Sequence, residues 1–169
     1  MKDIYTYIWV APLFILLQVL FLNNIYFLSY INPLVYVILI ITLPQNTEKW
    51  FLLIYAFILG FSLDILEGNL GLNSSALVFL SFIKPYINKV LIPKNLIDEK
   101  EKLNLKILGI KTFSVYALSL IFIHNSFIFL LEHFSTINLF YLILKIILSS
   151  VVTYIIILIF QLFTFKTKE

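Results

Sequence analysis

Asp64 lies near the end of a membrane-length apolar run, Trp50–Leu66 (WFLLIYAFILGFSLDIL), and Glu67-Gly68-Asn69-Leu70-Gly71-Leu72-Asn73 follows directly. A carboxylate inside such a run costs roughly 2.5–3.5 kcal/mol on insertion scales, so it must face protein or water and find a partner. Ala56, Gly60 and Asp64 recur every four residues and share one helical face. Ala56-x-x-x-Gly60 is a small-xxx-small pair that favours close helix contact. Gly68 is one helical step further on, and Gly71 and Asn73 open the next segment. Glycines there let backbones approach closely. The pattern predicts a tight hairpin between two spanning helices, with a buried polar group near the bend. The structural reading of Asp64 is a packing seam whose carboxylate is satisfied by hydrogen bonds. The functional readings are a partner-docking site, a ligand contact or a proton site.

Lys145, seven residues past Asn138, is the predicted intramembrane partner of Asp64. Both lie within about 10 Å of the same membrane surface at helical rise. The alternative for Lys145 is snorkelling to the interface. Tyr141, Lys145, Ser149 and Thr153, with Ser150 and Tyr154, give the last segment a semi-polar flank, and His124 and Asn125 do the same for the segment before it. His124 and His133 are nine apart, which fits no zinc-helix pattern. The sequence offers no metal site and no cofactor motif. Asp64, Glu67 and His133, all at the outer side, are the best acid/base candidates. Their spacing fixes no reaction, so the chain reads as non-enzymatic.

These residues need a scaffold of helices. The 169 residues are 62% apolar and 12% charged, with a mean hydropathy of +1.03. Several apolar runs reach spanning length, which excludes an ordinary soluble domain. The runs do not alternate as barrel strands do. The expected fold is therefore all-α, a single membrane bundle over residues 1–169 with about six segments. The absence of cysteine removes disulfides, thiol catalysis and cysteine-bound metals. A net charge of +3 is too diffuse to imply nucleic acid.

The segments read as Ile4–Leu22, kinked at Pro12; Ile25–Leu43, broken at Asn32-Pro33; Trp50–Leu66; Leu70–Ile87; Ile107–Leu131; and Asn138–Phe165. Ile25–Leu43 is either one kinked helix or an interfacial or re-entrant piece followed by a short span from Pro33. Pro33–Leu43 would cover only about 16 Å as a helix, too little to cross alone. Asn88–Lys106 reads as a basic cytoplasmic loop enclosing the cluster Asp98-Glu-Lys-Glu-Lys102, with lysines set against anionic lipid. With both termini cytoplasmic, six passes leave eleven of twelve lysines inside or at the inner boundary; Lys145 is the exception.

Gly60-Phe-Ser-Leu-Asp64 followed by Gly68-Asn-Leu-Gly71-Leu-Asn73 resembles the MreD family of rod shape-determining membrane proteins. Gln18, Pro33 and Pro44 also look like that family, and the specific likeness covers about residues 33–85. The resemblance implies a non-enzymatic component of the bacterial elongation machinery in the cytoplasmic (inner) membrane, supporting cell shape and peptidoglycan synthesis. It implies an MreC-like single-pass partner and, through it, MreB, RodA and a class B penicillin-binding protein. It also implies the six-helix architecture of energy-coupling-factor substrate subunits. The partner helix would then dock on the Ala56–Gly60–Asp64 face, at the Gly68–Asn73 bend, or in a groove beside them. The rival reading is a substrate-binding subunit of a vitamin transporter of that type. It would need a polar outer pocket, for which Glu67, Asp64, Lys145, Tyr141 and Glu132 are the candidates. A lipid-modifying enzyme is the third reading, and it lacks convergent acid/base groups.

Overall fold

The computed structural model describes residues 2–24, 31–69, 71–93, 101–132 and 138–166. The described chain is an all-α bundle of membrane type. Its helices are α1 (Lys2–Leu20), α2 (Ile38–Ile41), α3 (Lys49–Glu67), α4 (Leu72–Leu91), α5 (Leu105–Glu132) and α6 (Leu139–Lys166). Helices α3 and α5, and Leu139–Phe163 of α6, are each long and apolar enough to cross a bilayer; the apolar stretch Thr6–Leu20 of α1 is shorter. Trp9, Phe61, Phe140 and Ile155 are among the large side chains turned outward. That is the surface lipid would cover.

Helix α3 packs on α4, α4 on α5, and α5 on α6, while α1 lies against α3. Two ends result. The hairpin end carries the α3–α4 bend, the end of α5 and the start of α6. The opposite end carries the starts of α3 and α5 and the end of α4.

Sequence chemistry sets the helix starts. The Asn104 Oδ1 accepts the Ile107 N–H at 3.0 Å, and the Asn138 Oδ1 accepts the Tyr141 N–H at 3.3 Å, both as N-caps. Helix α4 outruns its expected end at Ile87. It passes through Pro85 to Leu91, and the Ile92 N–H still reaches the Asn88 carbonyl at 3.0 Å. A proline removes one helical hydrogen bond but does not stop a helix supported by neighbours. Asn88–Leu91 therefore belong to α4, and Leu105-Lys106 to α5. The rest of the Asp98–Lys102 cluster up to Lys100 lies outside the described residues. Gly109 (φ 72°, ψ 160°) interrupts α5, so one turn precedes its long part.

The centre of the bundle is a chain of short pieces rather than one continuous helix. Of the predicted interfacial piece Ile25–Ile31, only Ile31 is described. Pro33–Pro44 is wholly buried and contains one 3₁₀ turn, Val35–Val37, ahead of α2. Continuous α-helix is confined to Ile38–Ile41; Pro33-Leu34 and Thr42–Pro44 are non-helical and Val35–Val37 is 3₁₀, which rises about 2 Å per residue against about 1.5 Å, so the stretch reaches further than a plain α-helix of its length. Such backbone at membrane depth needs internal partners. Gln18 of α1, fully buried, accepts the Val35 N–H at 3.0 Å and donates to the Pro33 carbonyl at 2.9 Å. The Ser149 Oγ accepts the Asn32 N–H at 3.0 Å, and the Thr153 Oγ1 accepts the Leu34 N–H at 3.1 Å. The semi-polar flank of α6 thus serves the central chain.

Candidate functional site

The α3–α4 hairpin is built around three glycines. Gly68 (φ 71°) ends α3 and Gly71 (φ 84°) precedes α4, both in the left-handed region that L side chains rarely adopt. Gly60 serves a different need. A Cβ there would lie 2.4 Å from the Ser74 Cα and 2.6 Å from its nitrogen. No side chain fits, so α3 and the first turn of α4 touch backbone to backbone.

That approach determines what Asp64 does. Its Oδ1 accepts the Asn73 N–H and its Oδ2 the Ser74 N–H, each at 2.9 Å, and the residue is 2% exposed. Gly71 occupies the N-cap position of α4 and has no side chain to offer. Asp64 supplies the cap from the neighbouring helix, placing an anion at the positive end of α4. Ala56 and Gly60 are buried on the same face. The Ala56–Gly60–Asp64 face is therefore covered by α4.

Glu67, one turn on, is held differently. Its Oε1 accepts the Asn23 amide at 2.7 Å, and its Oε2 accepts those of Asn69 at 2.9 Å and Asn73 at 2.6 Å. The Tyr36 hydroxyl donates to the Asn73 Oδ1 at 2.8 Å, and the Gln18 amide to the Asn23 Oδ1 at 2.8 Å. Glu67 is thereby tied to the central chain.

The predicted Asp64–Lys145 pair does not form. Both Asp64 oxygens are taken by backbone N–H groups, and the Lys145 Nζ donates to the Glu132 Oε2 at 2.9 Å. Lys145 lies on α6 beside the end of α5, and its Nζ sits 4.6 Å from the Phe129 ring centre. It is 6% exposed, so it does not snorkel clear of the protein.

Glu67, Lys145 and Glu132 line one cavity of about 300 Å³ at the hairpin end. Asn23, Asn32, Asn69 and Asn73 add carboxamides, and Leu22, Leu34, Leu72, Ile128 and Phe129 add apolar wall. Of the five outer residues the sequence offered for a pocket, these three line it. Asp64 and Tyr141 do not. Gly60, Ala56, Gly68 and Gly71 build the wall's support without lining it, whereas Asn73 does both. His133 lies outside the described residues.

At the opposite end, buried donors go to backbone carbonyls of the central chain. The Lys84 Nζ donates to the Leu43 carbonyl at 2.7 Å, the Tyr116 hydroxyl to the Ile41 carbonyl at 3.0 Å, and the Tyr7 hydroxyl to the Thr42 carbonyl at 2.8 Å. These donors satisfy the buried carbonyls at the C-terminal end of α2 and just beyond it. Lys84 is 1% exposed. Sequence reading placed it with the boundary lysines. Its position on the Ser81–Lys84–Asn88 face of α4, all buried, was the available signal.

No family model matches this chain, and no curated protein or solved structure does either. Among the described residues, no group of three or more His, Cys, Asp or Glu side chains is placed to hold a metal. His124 is buried, its ring edge-on to Tyr36 with centres 5.5 Å apart, while the neighbouring Asn125 donates to the Ser150 Oγ at 3.1 Å.

Proposed function

We propose that this chain is a non-enzymatic membrane scaffold of the bacterial rod complex, of the MreD kind, with both termini cytoplasmic. The observation that carries the reading is the hairpin. The residues of the resemblance, Gly60, Asp64, Gly68, Gly71 and Asn73, act together as one built unit rather than as scattered matches. The lysine distribution supports the orientation. A bundle so apolar must recognise partners largely within the bilayer, where close packing supplies specificity.

Because α4 covers the Ala56–Gly60–Asp64 face, the partner helix docks on the other side of α3. A groove of about 260 Å³ runs there between α1 and α3, lined by Ile8, Ala11, Ile15, Ile54, Ile58 and Ser62 among others. It is almost entirely apolar, which suits the single-pass helix of an MreC-like protein. Gentle extraction of the tagged protein from its native membranes, followed by mass spectrometry, tests the assignment. A single-pass periplasmic protein with wall-synthesis enzymes is the expected company. A photo-crosslinker at Ile58 should capture the single-pass protein.

The cavity at the hairpin end favours a second reading, a substrate-binding subunit of an energy-coupling-factor type transporter. Recovery of ATPase subunits with a coupling membrane protein would decide for it.

A further inference from the structure

The charges around the cavity come from three helices, with Glu132 at the end of α5. Glu67 ends α3, and Lys145 projects from α6. Glu67 accepts three amide hydrogens, while a carboxylate has about four acceptor positions. The Lys145 Nζ gives one hydrogen to Glu132, while an ammonium carries three. Each therefore keeps bonding capacity at the cavity wall. The hydrogen-bond partners of the Glu67 carboxylate are neutral amides, which favours a positive group beside it. The volume, about 300 Å³, is at the small end for ligand sites. Leu34 and Ile128 provide apolar wall for a short carbon spacer.

We propose that this cavity binds a small zwitterion, with its ammonium on Glu67 and its acidic oxyanion on Lys145. An α-amino acid and the phosphoethanolamine headgroup of a lipid share that chemistry. Binding requires no protein partner, so the site stands apart from the scaffold reading.

The test is heat unfolding of the purified full-length protein in detergent, with L-alanine and phosphoethanolamine as probes. Saturating zwitterion should raise the midpoint by about 4 °C or more. Ethanolamine, acetate or phosphate alone should give less than half that rise. Glu67→Gln and Lys145→Gln should each abolish it. Stabilisation by L-alanine identifies a free ligand. Stabilisation by phosphoethanolamine alone, with phosphatidylethanolamine retained in native mass spectra from nanodiscs, identifies a headgroup. Absence of a rise with either zwitterion would overturn the proposal, as would an equal rise with a single-charge half. That comparison uses only the unaltered protein, so it holds if the variants fail to fold. Its failure would leave partner recovery untouched.

Discussion

Asp64 and Glu67 sit three residues apart on α3, and the bundle treats them in opposite ways. Asp64 is locked by two backbone N–H groups of one helix, within a seam that has no room for a Cβ. Glu67 is held by three side-chain amides from different parts of the chain and faces a cavity. Backbone donors in a helix end cannot rearrange without unwinding it, whereas side-chain amides can turn toward something else. The first carboxylate therefore serves the fold, and the second can exchange partners. Lys84 and Lys145 repeat the contrast. Lys84 is sealed against a carbonyl of the central chain. Lys145 meets a half-exposed glutamate at the cavity.

The strongest way to break this contrast is to force the seam apart. Gly60→Val drives a branched Cβ against the Ser74 backbone and should cost about 3 kcal/mol, seen as poor insertion or a collapsed unfolding midpoint. A Gly60→Val protein with the normal midpoint would mean that α3 and α4 do not touch as described. Lys84→Met comes next. It leaves the Leu43 carbonyl without the lysine donor, for a loss of about 2 kcal/mol in the same assay. Gly71→Ala imposes a Cβ on left-handed backbone and should cost about 1 kcal/mol. Lys145→Gln should change stability by less than about 1 kcal/mol, because its glutamate partner is 43% exposed. A loss as large as that of Lys84→Met would show that Lys145 also serves the fold.

The helices were legible because apolar runs of spanning length announce themselves. So was the bend, where Gly68 and Gly71 sit at positive φ. The partner of Asp64 was not legible, because a backbone N–H leaves no mark in a sequence. Reasoning in terms of side-chain charges therefore paired it with Lys145. The glutamate that Lys145 does meet lies thirteen residues back, across the α5–α6 connection. The Pro33–Leu43 puzzle had the same origin. Its length argues against one continuous α-helix, and the structure uses extended residues, a 3₁₀ turn and a single α-helical turn, with the N–H groups at its start held by Gln18, Ser149 and Thr153. Ser149 and Thr153 read only as part of a semi-polar flank, because nothing in the sequence shows the broken central chain running beside them.

The most direct test of this division is a paired measurement of unfolding free energy for Asp64→Ala and Glu67→Ala. Asp64→Ala strips two buried N–H groups of their acceptor and should cost about 3–5 kcal/mol. Glu67→Ala leaves its amides facing a cavity open to water and should cost about 1 kcal/mol. Equal losses, or a larger loss for Glu67→Ala, would contradict the account.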